Sequence, residues 1–257
     1  MADERRRRAS AQTSPRTAAI WSAVHDLADQ RQRELGRGLH VLDLGGGTGG
    51  MAVALAEVGH QVTVIDPSPD ALAALQRRAA DSGVQERVTG VQGDAESVED
   101  AVGGTRIDLV TCHGTLEFVD DPAAALQGMA RVLVPGGYLS LVAAQRLAVV
   151  LARALAGQFA QAERALLSDD GRWGEADPLP RRFDAHRLHE LVVQAGLTIE
   201  ESHGLGVFAD LVPSALVDSE QDRQALRDLE QAASTHPDFP ALADLGAVVH
   251  VVGRRRA

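Results

Sequence analysis

The sequence of 257 residues has no lysine and no asparagine, and all 25 of its basic residues are arginine. That usage reads as the mark of a GC-biased genome. A single cysteine excludes an intrachain disulfide and any multi-cysteine zinc site, and no metal is expected. Cys112 falls at the end of a predicted buried strand, where a thiol serves as a small apolar filler. No apolar run approaches the roughly 20 residues that span a bilayer. The stretch from Val149 to Leu155 is bracketed by Arg146 and Arg153. The first residues, MADERRRRAS, are basic with no apolar segment after them, so they do not form a secretory signal. A cytoplasmic location is expected, and no membrane partner.

The composition, 45% hydrophobic and 24% charged, is that of a globular protein with an ample core. A net charge of -11 argues against broad nucleic-acid binding, which needs a basic face to neutralise phosphates. Local basic clusters occur at Arg5 to Arg8, Arg77 and Arg78, Arg181 and Arg182, and Arg254 to Arg256. The two terminal clusters read as solvated tails.

The chain is organised around HVLDLGGGTGG, residues 40–50. A strand pattern runs into glycines and then into an apolar helical segment, which makes a strand, a tight turn and a helix. Such a turn lets a ligand approach the backbone at the positive end of the helix. Two patterns fit it. Gly45, Gly47 and Gly50 match the dinucleotide signature G-x-G-x-x-G, while Asp43, Gly45, Gly47 and Gly49 match D-x-G-x-G-x-G, the first motif of S-adenosylmethionine (AdoMet) methyltransferases.

Downstream residues separate the two. A second strand, 61–65, ends in Asp66-Pro67, and Asp66 lies 21 residues past Gly45, an offset that suits a carboxylate reaching ribose hydroxyls. A third strand, 87–91, ends in Gly93-Asp94-Ala95. There Asp94 can accept the N6 donor of adenine and the Ala95 amide can donate to N1. Dinucleotide enzymes have little need of that acid. A hydride-transfer site built on a Tyr-Lys pair is ruled out by the missing lysine, with Tyr138 the only tyrosine. An AdoMet-binding protein without catalysis is the remaining alternative.

Further strands are predicted at 107–111, 138–142, 197–208 and 247–252, with helices at 16–35, 49–57, 68–80, 122–133, 145–167, 184–196 and 219–233. Alternating strands and helices indicate an α/β, Rossmann-like, doubly wound sheet of seven mostly parallel strands with ligands at their carboxyl ends. The last strand is expected to run antiparallel. Residues 1–37 form a tail and lid helix and 38–257 the main domain. Residues 145–183 form a small helical cap with a loop over the acceptor.

On VLDLGGGTGG, VTVIDPSPDAL, GDAES, IDLVTCHGTLEFVDDP and LVPGGYLSL, the chain resembles class I AdoMet-dependent methyltransferases over nearly its full length. Within them it is most similar to the bacterial tRNA 5-carboxymethoxyuridine methyltransferase group. The resemblance implies AdoMet as cofactor, held by Arg16, Asp43, Gly45, Gly46, Gly47, Asp66, Pro67, Asp94, Ala95 and His113. Arg16 would take the methionyl carboxylate. His113, after the fourth strand, is the candidate general base if the acceptor must lose a proton. A tRNA nucleoside or a small molecule is the implied methyl acceptor. Two departures concern that acceptor: Ala143-Ala144 stands where the group carries Tyr-Asn, and Gly206 where it carries an arginine. Without the arginine, an anionic acceptor loses a contact worth about 1.5 to 3 kcal/mol.

Overall fold

The computed structural model describes residues 15–234 and 236–256. The Arg5 to Arg8 cluster lies outside them. In chain order the elements are α1 (Pro15–Leu35), β1 (His40–Leu44), α2 (Gly50–Glu57), β2 (Gln61–Asp66), α3 (Pro69–Asp81), β3 (Val88–Gln92), α4 (Val98–Ala101) and β4 (Ile107–His113). There follow α5 (Pro122–Val132), β5 (Leu133–Ala144), α6 (Arg146–Leu155), α7 (Phe159–Leu167), α8 (Ala185–Gln194), β6 (Leu197–Leu205), α9 (Glu220–Ser234) and β7 (Val248–Arg255).

The seven strands form one sheet in the order β3-β2-β1-β4-β5-β7-β6. The first five are parallel, and β7 enters between β5 and β6, antiparallel to both. Alternate residues of a strand share a face, which splits the core in two. Leu42, Val110, Leu139, Leu141 and Val251 face α5 and α8. Val41, Val64, Leu109, Tyr138 and Val252 face α2, α3 and α1, the last of which inserts Ile20, Val24 and Ala28. The helix ahead of β1 is thus partly a core element. Its partner elements are set by local chemistry: Ser68 and Asp121 cap α3 and α5 with their side chains, each followed closely by proline.

Three sequence expectations need correction. The helix foreseen over 145–167 is two helices, because Gly157 takes a left-handed φ of 72° and ends α6. Strand β6 stops at Leu205 and not at 208, because the amides of Val207, Phe208 and Ala209 bind the carboxylate of Glu230 on α9 at 2.9, 2.7 and 2.6 Å. Arg254 to Arg256 are not a solvated tail. Arg254 stacks over Tyr138 at 4.9 Å, Arg255 donates to the carbonyl of Arg131 at 2.8 Å, and Arg256 donates to Thr198 at 3.1 Å. Among the described residues no helix is long and apolar enough to cross a membrane.

One buried acid joins the entrance of β1 to β4. Asp108, with no exposed surface, accepts from Arg37 through both guanidinium nitrogens, at 2.8 and 3.0 Å, and from the His40 amide at 2.9 Å. Arg37 is half exposed and can return to water, which limits its share. Replacing Asp108 with Ala is expected to lower stability by about 2 kcal/mol. The check is a lower urea midpoint at an unchanged m-value.

Candidate functional site

The chain leaves β1 towards β2 on one side and meets β4 on the other, so a crevice opens at the carboxyl ends of β1 and β4. The glycine turn lines it. The Gly45 amide donates to the carbonyl of Ile65 at 2.7 Å, tying the turn to β2. Gly45 and Gly46 have no room for a side chain: a Cβ on the first would overlap Thr115, and on the second the Asp43 carboxylate. The Gly47 amide points the other way and donates to Asp66 Oδ2 at 2.9 Å. Asp66 also receives the Ser68 amide at 2.9 Å, so it closes the end of β2 over the turn.

Asp43 is buried on the α1-covered face and accepts from Thr111 Oγ1 at 2.7 Å. Burial pushes its carboxyl up to about 6; the Thr111 hydrogen bond opposes the rise and the Asp66 charge adds to it. Two acids thus sit at one crevice, and among the described residues no basic side chain is bonded to either. That is a setting for a cationic ligand.

His113 ends β4, level with Gly45. Its Nε2 lies 2.9 Å from Ser140 Oγ. Burial, and then the neighbouring His250, push its pKa down to about 3. The ring is therefore neutral at physiological pH, and on its own it is a weak base. Periodicity gave no sign of the second histidine beside it. Asp94 follows β3, one strand out from Asp66, and is exposed, with Oδ1 accepting from the amides of Glu96 at 3.0 Å and Ser97 at 3.2 Å. Ala95 is buried against the core, and Pro67 is exposed beside Asp66.

Arg16 is not in the crevice. It lies beside Gly206 at the β6 end of the edge and pairs with Asp210 at 2.7 Å. There it lines a cavity of about 340 Å³ with Ala144, Val149, Leu211, Val248 and Arg182. Arg182 is itself held by Asp177 through two bonds of 2.6 and 2.9 Å, both side chains buried.

A family model described as a methyltransferase domain matches residues 42–141, the span from β1 to β5. The tRNA 5-carboxymethoxyuridine methyltransferase of Escherichia coli K12 is 30% identical over 93% of this chain and 88% of its own length. The chain belongs to the AdoMet-dependent methyltransferases. Another relative, the ubiquinone biosynthesis O-methyltransferase of Xanthomonas axonopodis pv. citri, is 38% identical over 47% of this chain and 49% of its own length. Among solved structures, the Burkholderia thailandensis 1,6-didemethyltoxoflavin-N1-methyltransferase with bound S-adenosylhomocysteine superposes with a TM-score of 0.52 at 20% identity, over 90% of this chain and 77% of that one. The cofactor of this methyltransferase is accordingly AdoMet.

Sequence reasoning missed Glu117, which follows β4 in the stretch LEF. It is buried, its Oε1 accepts from the Ala144 amide at 2.6 Å, and its Oε2 has no partner among the described residues. Burial raises its pKa. An acid flanked by two large apolar residues at a strand end was the available signal. Ser140 and His250 were also missed, because only strands far apart in sequence bring them together, as was the pairing of Asp177 with Arg182, five residues apart in the cap loop.

Asp43 gives the methyltransferase a pH signature. Its folded pKa, near 6, lies above that of a free carboxyl, so the folded chain binds more protons between about pH 4 and 6. Stability contributed by this group is therefore present below pH 4 and is lost as pH rises through 6. Asp43→Asn keeps an acceptor for Thr111 without the charge. It is expected to be more stable than the parent at neutral pH by at most about 3 kcal/mol, the difference vanishing below about pH 4. Urea titrations across that range measure it.

Proposed function

We propose that this methyltransferase binds AdoMet across the carboxyl ends of β1 to β4 and methylates a small, largely apolar molecule held in the cavity beneath α6. AdoMet supplies a methyl group activated by a sulfonium. The crevice fits such a ligand: the crowded Gly45 and Gly46 bring backbone within reach, and the two buried acids complement a cation. In this reading Gly45, Gly46 and Gly47 form the floor under the methionyl portion, with Asp43 behind them. Asp66 and Pro67 receive the ribose, and Asp94 and Ala95 the adenine edge. Arg16 reaches the methionyl carboxylate by exchanging it for Asp210. His113 stands at the end of β4 where cofactor and acceptor meet. The cap, residues 145–183, supplies α6 and Arg182 to the acceptor side and keeps water out.

The observation that carries the acceptor class is the matched charge around the cavity. Ala144, Val149, Leu211 and Val248 are apolar, Arg182 holds Asp177, and Arg16 has a carboxylate partner in either state, Asp210 or the methionyl group. Freeing Arg182 for an anionic acceptor would break a buried pair, at a cost of about 3 to 5 kcal/mol. Positioning of an acceptor beside the methyl group accounts for roughly 7 to 11 kcal/mol of barrier lowering in such sites. A second reading, methyl-ester formation on a carboxymethoxyuridine-type tRNA nucleoside, draws on the likeness to the Escherichia coli enzyme along 93% of the chain.

Calorimetry with AdoMet tests the cofactor half: Asp66→Ala is expected to weaken binding at least about tenfold, and unchanged affinity refutes the ribose assignment. For the acceptor, methyl-labelled AdoMet is incubated with bulk tRNA and with a small-molecule extract. Label is expected in the small-molecule fraction. A base-labile ester in the tRNA fraction would overturn this reading in favour of the second.

A further inference from the structure

His113, Ser140 and His250 come from β4, β5 and β7, neighbouring strands in the sheet, and they share its α1-covered face. Ser140 Oγ lies 2.9 Å from Nε2 of His113 and 2.8 Å from Nε2 of His250. Ser140 has no exposed surface, and His250 keeps 2% of its own. The two rings meet edge to face, with centroids 6.2 Å apart.

A hydroxyl carries one proton. Among the described residues Ser140 Oγ has no other partner, so its proton goes to one ring and it accepts from the other. One imidazole then carries its proton on Nε2 and its neighbour on Nδ1, in opposite senses. With Nε2 of His113 engaged, Nδ1 is the nitrogen left for a bound molecule, and among the described residues it has no partner.

We propose that Ser140 and His250 are positioning residues that act through His113, opening a proton path for an acceptor that loses an O–H or N–H proton as it is methylated. This rests on the cofactor and acceptor placement above, and it narrows the acceptor to a protic one. As the acceptor forms its new bond to the methyl carbon, the carbon–sulfur bond of the sulfonium breaks with its electron pair left on sulfur, and the acceptor's proton passes to Nδ1 of His113. The Nε2 proton of His113 passes to Ser140 Oγ, and the Ser140 proton passes to Nε2 of His250. No oxidant or reductant takes part. The path resets when the cleft reopens: the Nε2 proton of His250 returns through Ser140 to Nε2 of His113 as Nδ1 of His113 gives its proton to water.

The charged and titratable groups around this row are Asp43 on β1, Glu117 after β4, and His203 and Glu201 on β6. His203 sits opposite His250 in the ladder. Burial and then His203 hold His250 neutral, while Glu201 favours its cation. With both rings neutral at the start, the relayed proton leaves His113 neutral and makes His250 the cation, a state that Glu201 favours and that burial and His203 oppose, so it is held only until the path resets. A carboxylate acceptor is already anionic and makes no use of the path.

The test begins with the full chain labelled with nitrogen-15 in histidine, without acceptor or cofactor. His113 is expected as the Nε2–H tautomer and His250 as Nδ1–H. Ser140→Ala should release the tautomer of His113 and Ser140→Thr should restore it. His113 as the Nδ1–H tautomer, both rings in the same tautomer, or His113 resonances unmoved in Ser140→Ala, overturn the proposal. Turnover is then followed with methyl-labelled AdoMet on 4-ethylphenol as the protic probe and 4-ethylbenzoate as the carboxylate probe. Ser140→Ala and His250→Gln should lower kcat on the phenol at least about tenfold, with KM nearly unchanged, while Ser140→Thr recovers it. Equal losses on both probes would assign the row a structural role only. Calorimetry separates the two readings: AdoMet binding should survive in Ser140→Ala, whereas a parent chain that binds no AdoMet defeats the cofactor placement and leaves the tautomer result standing.

Discussion

The absence of space above the first two glycines of the turn is the constraint on which the site depends. Gly45 lies against Thr115 and Gly46 against the Asp43 carboxylate, and neither contact leaves room for a methyl group. Thr115 is fixed in turn by its hydroxyl on the carbonyl of Leu44 at 3.2 Å, and Asp43 by Thr111. The turn is therefore clamped between the loop after β4 and the interior of β1. Asp66 holds it from the third side through the Gly47 amide. Three segments far apart in sequence converge on a few backbone atoms, and the register of β1 with β2 and β4 follows from that convergence.

Burial of Asp43 is the cost of this arrangement. A carboxyl forced up to about 6 opposes folding at neutral pH, and a nearby acid, Asp66, makes it worse. A cation entering the crevice relieves both. The cavity beneath α6 is built on the opposite plan. There Arg16 faces Asp210 and Arg182 faces Asp177, so the charges cancel and the apolar lining sets the character of the cavity.

Much of this was legible in the sequence because it is local. Each parallel strand appears as an apolar run, the turn appears as glycines, and Asp66 and Asp94 follow their strands by fixed offsets. The strand ends were less legible. Strand β4 runs two residues past the expected 111, to His113, because it pairs with β5 through Val142. The early stop of β6 depends on Glu230, which is remote in sequence. The insertion of β7 between β5 and β6 pairs His250 with His203 and brings it to Ser140, and no pattern in one strand announces a neighbour in another. Arg254 to Arg256 look like a charged tail because a basic run resembles one, whereas their aliphatic stems and guanidinium groups lie along the sheet.

The clasp at Glu230 bears on how such a protein can diversify. A single carboxylate receives three consecutive amides, and α9, which carries it, has Ala233 as its one buried residue among those described. The turn after β6 and α9 consequently behave as one interchangeable cassette that fits or fails as a unit. A change of acceptor made in residues 206–211 has to carry the helix along with it, so natural or engineered variants should exchange 206–234 as a block.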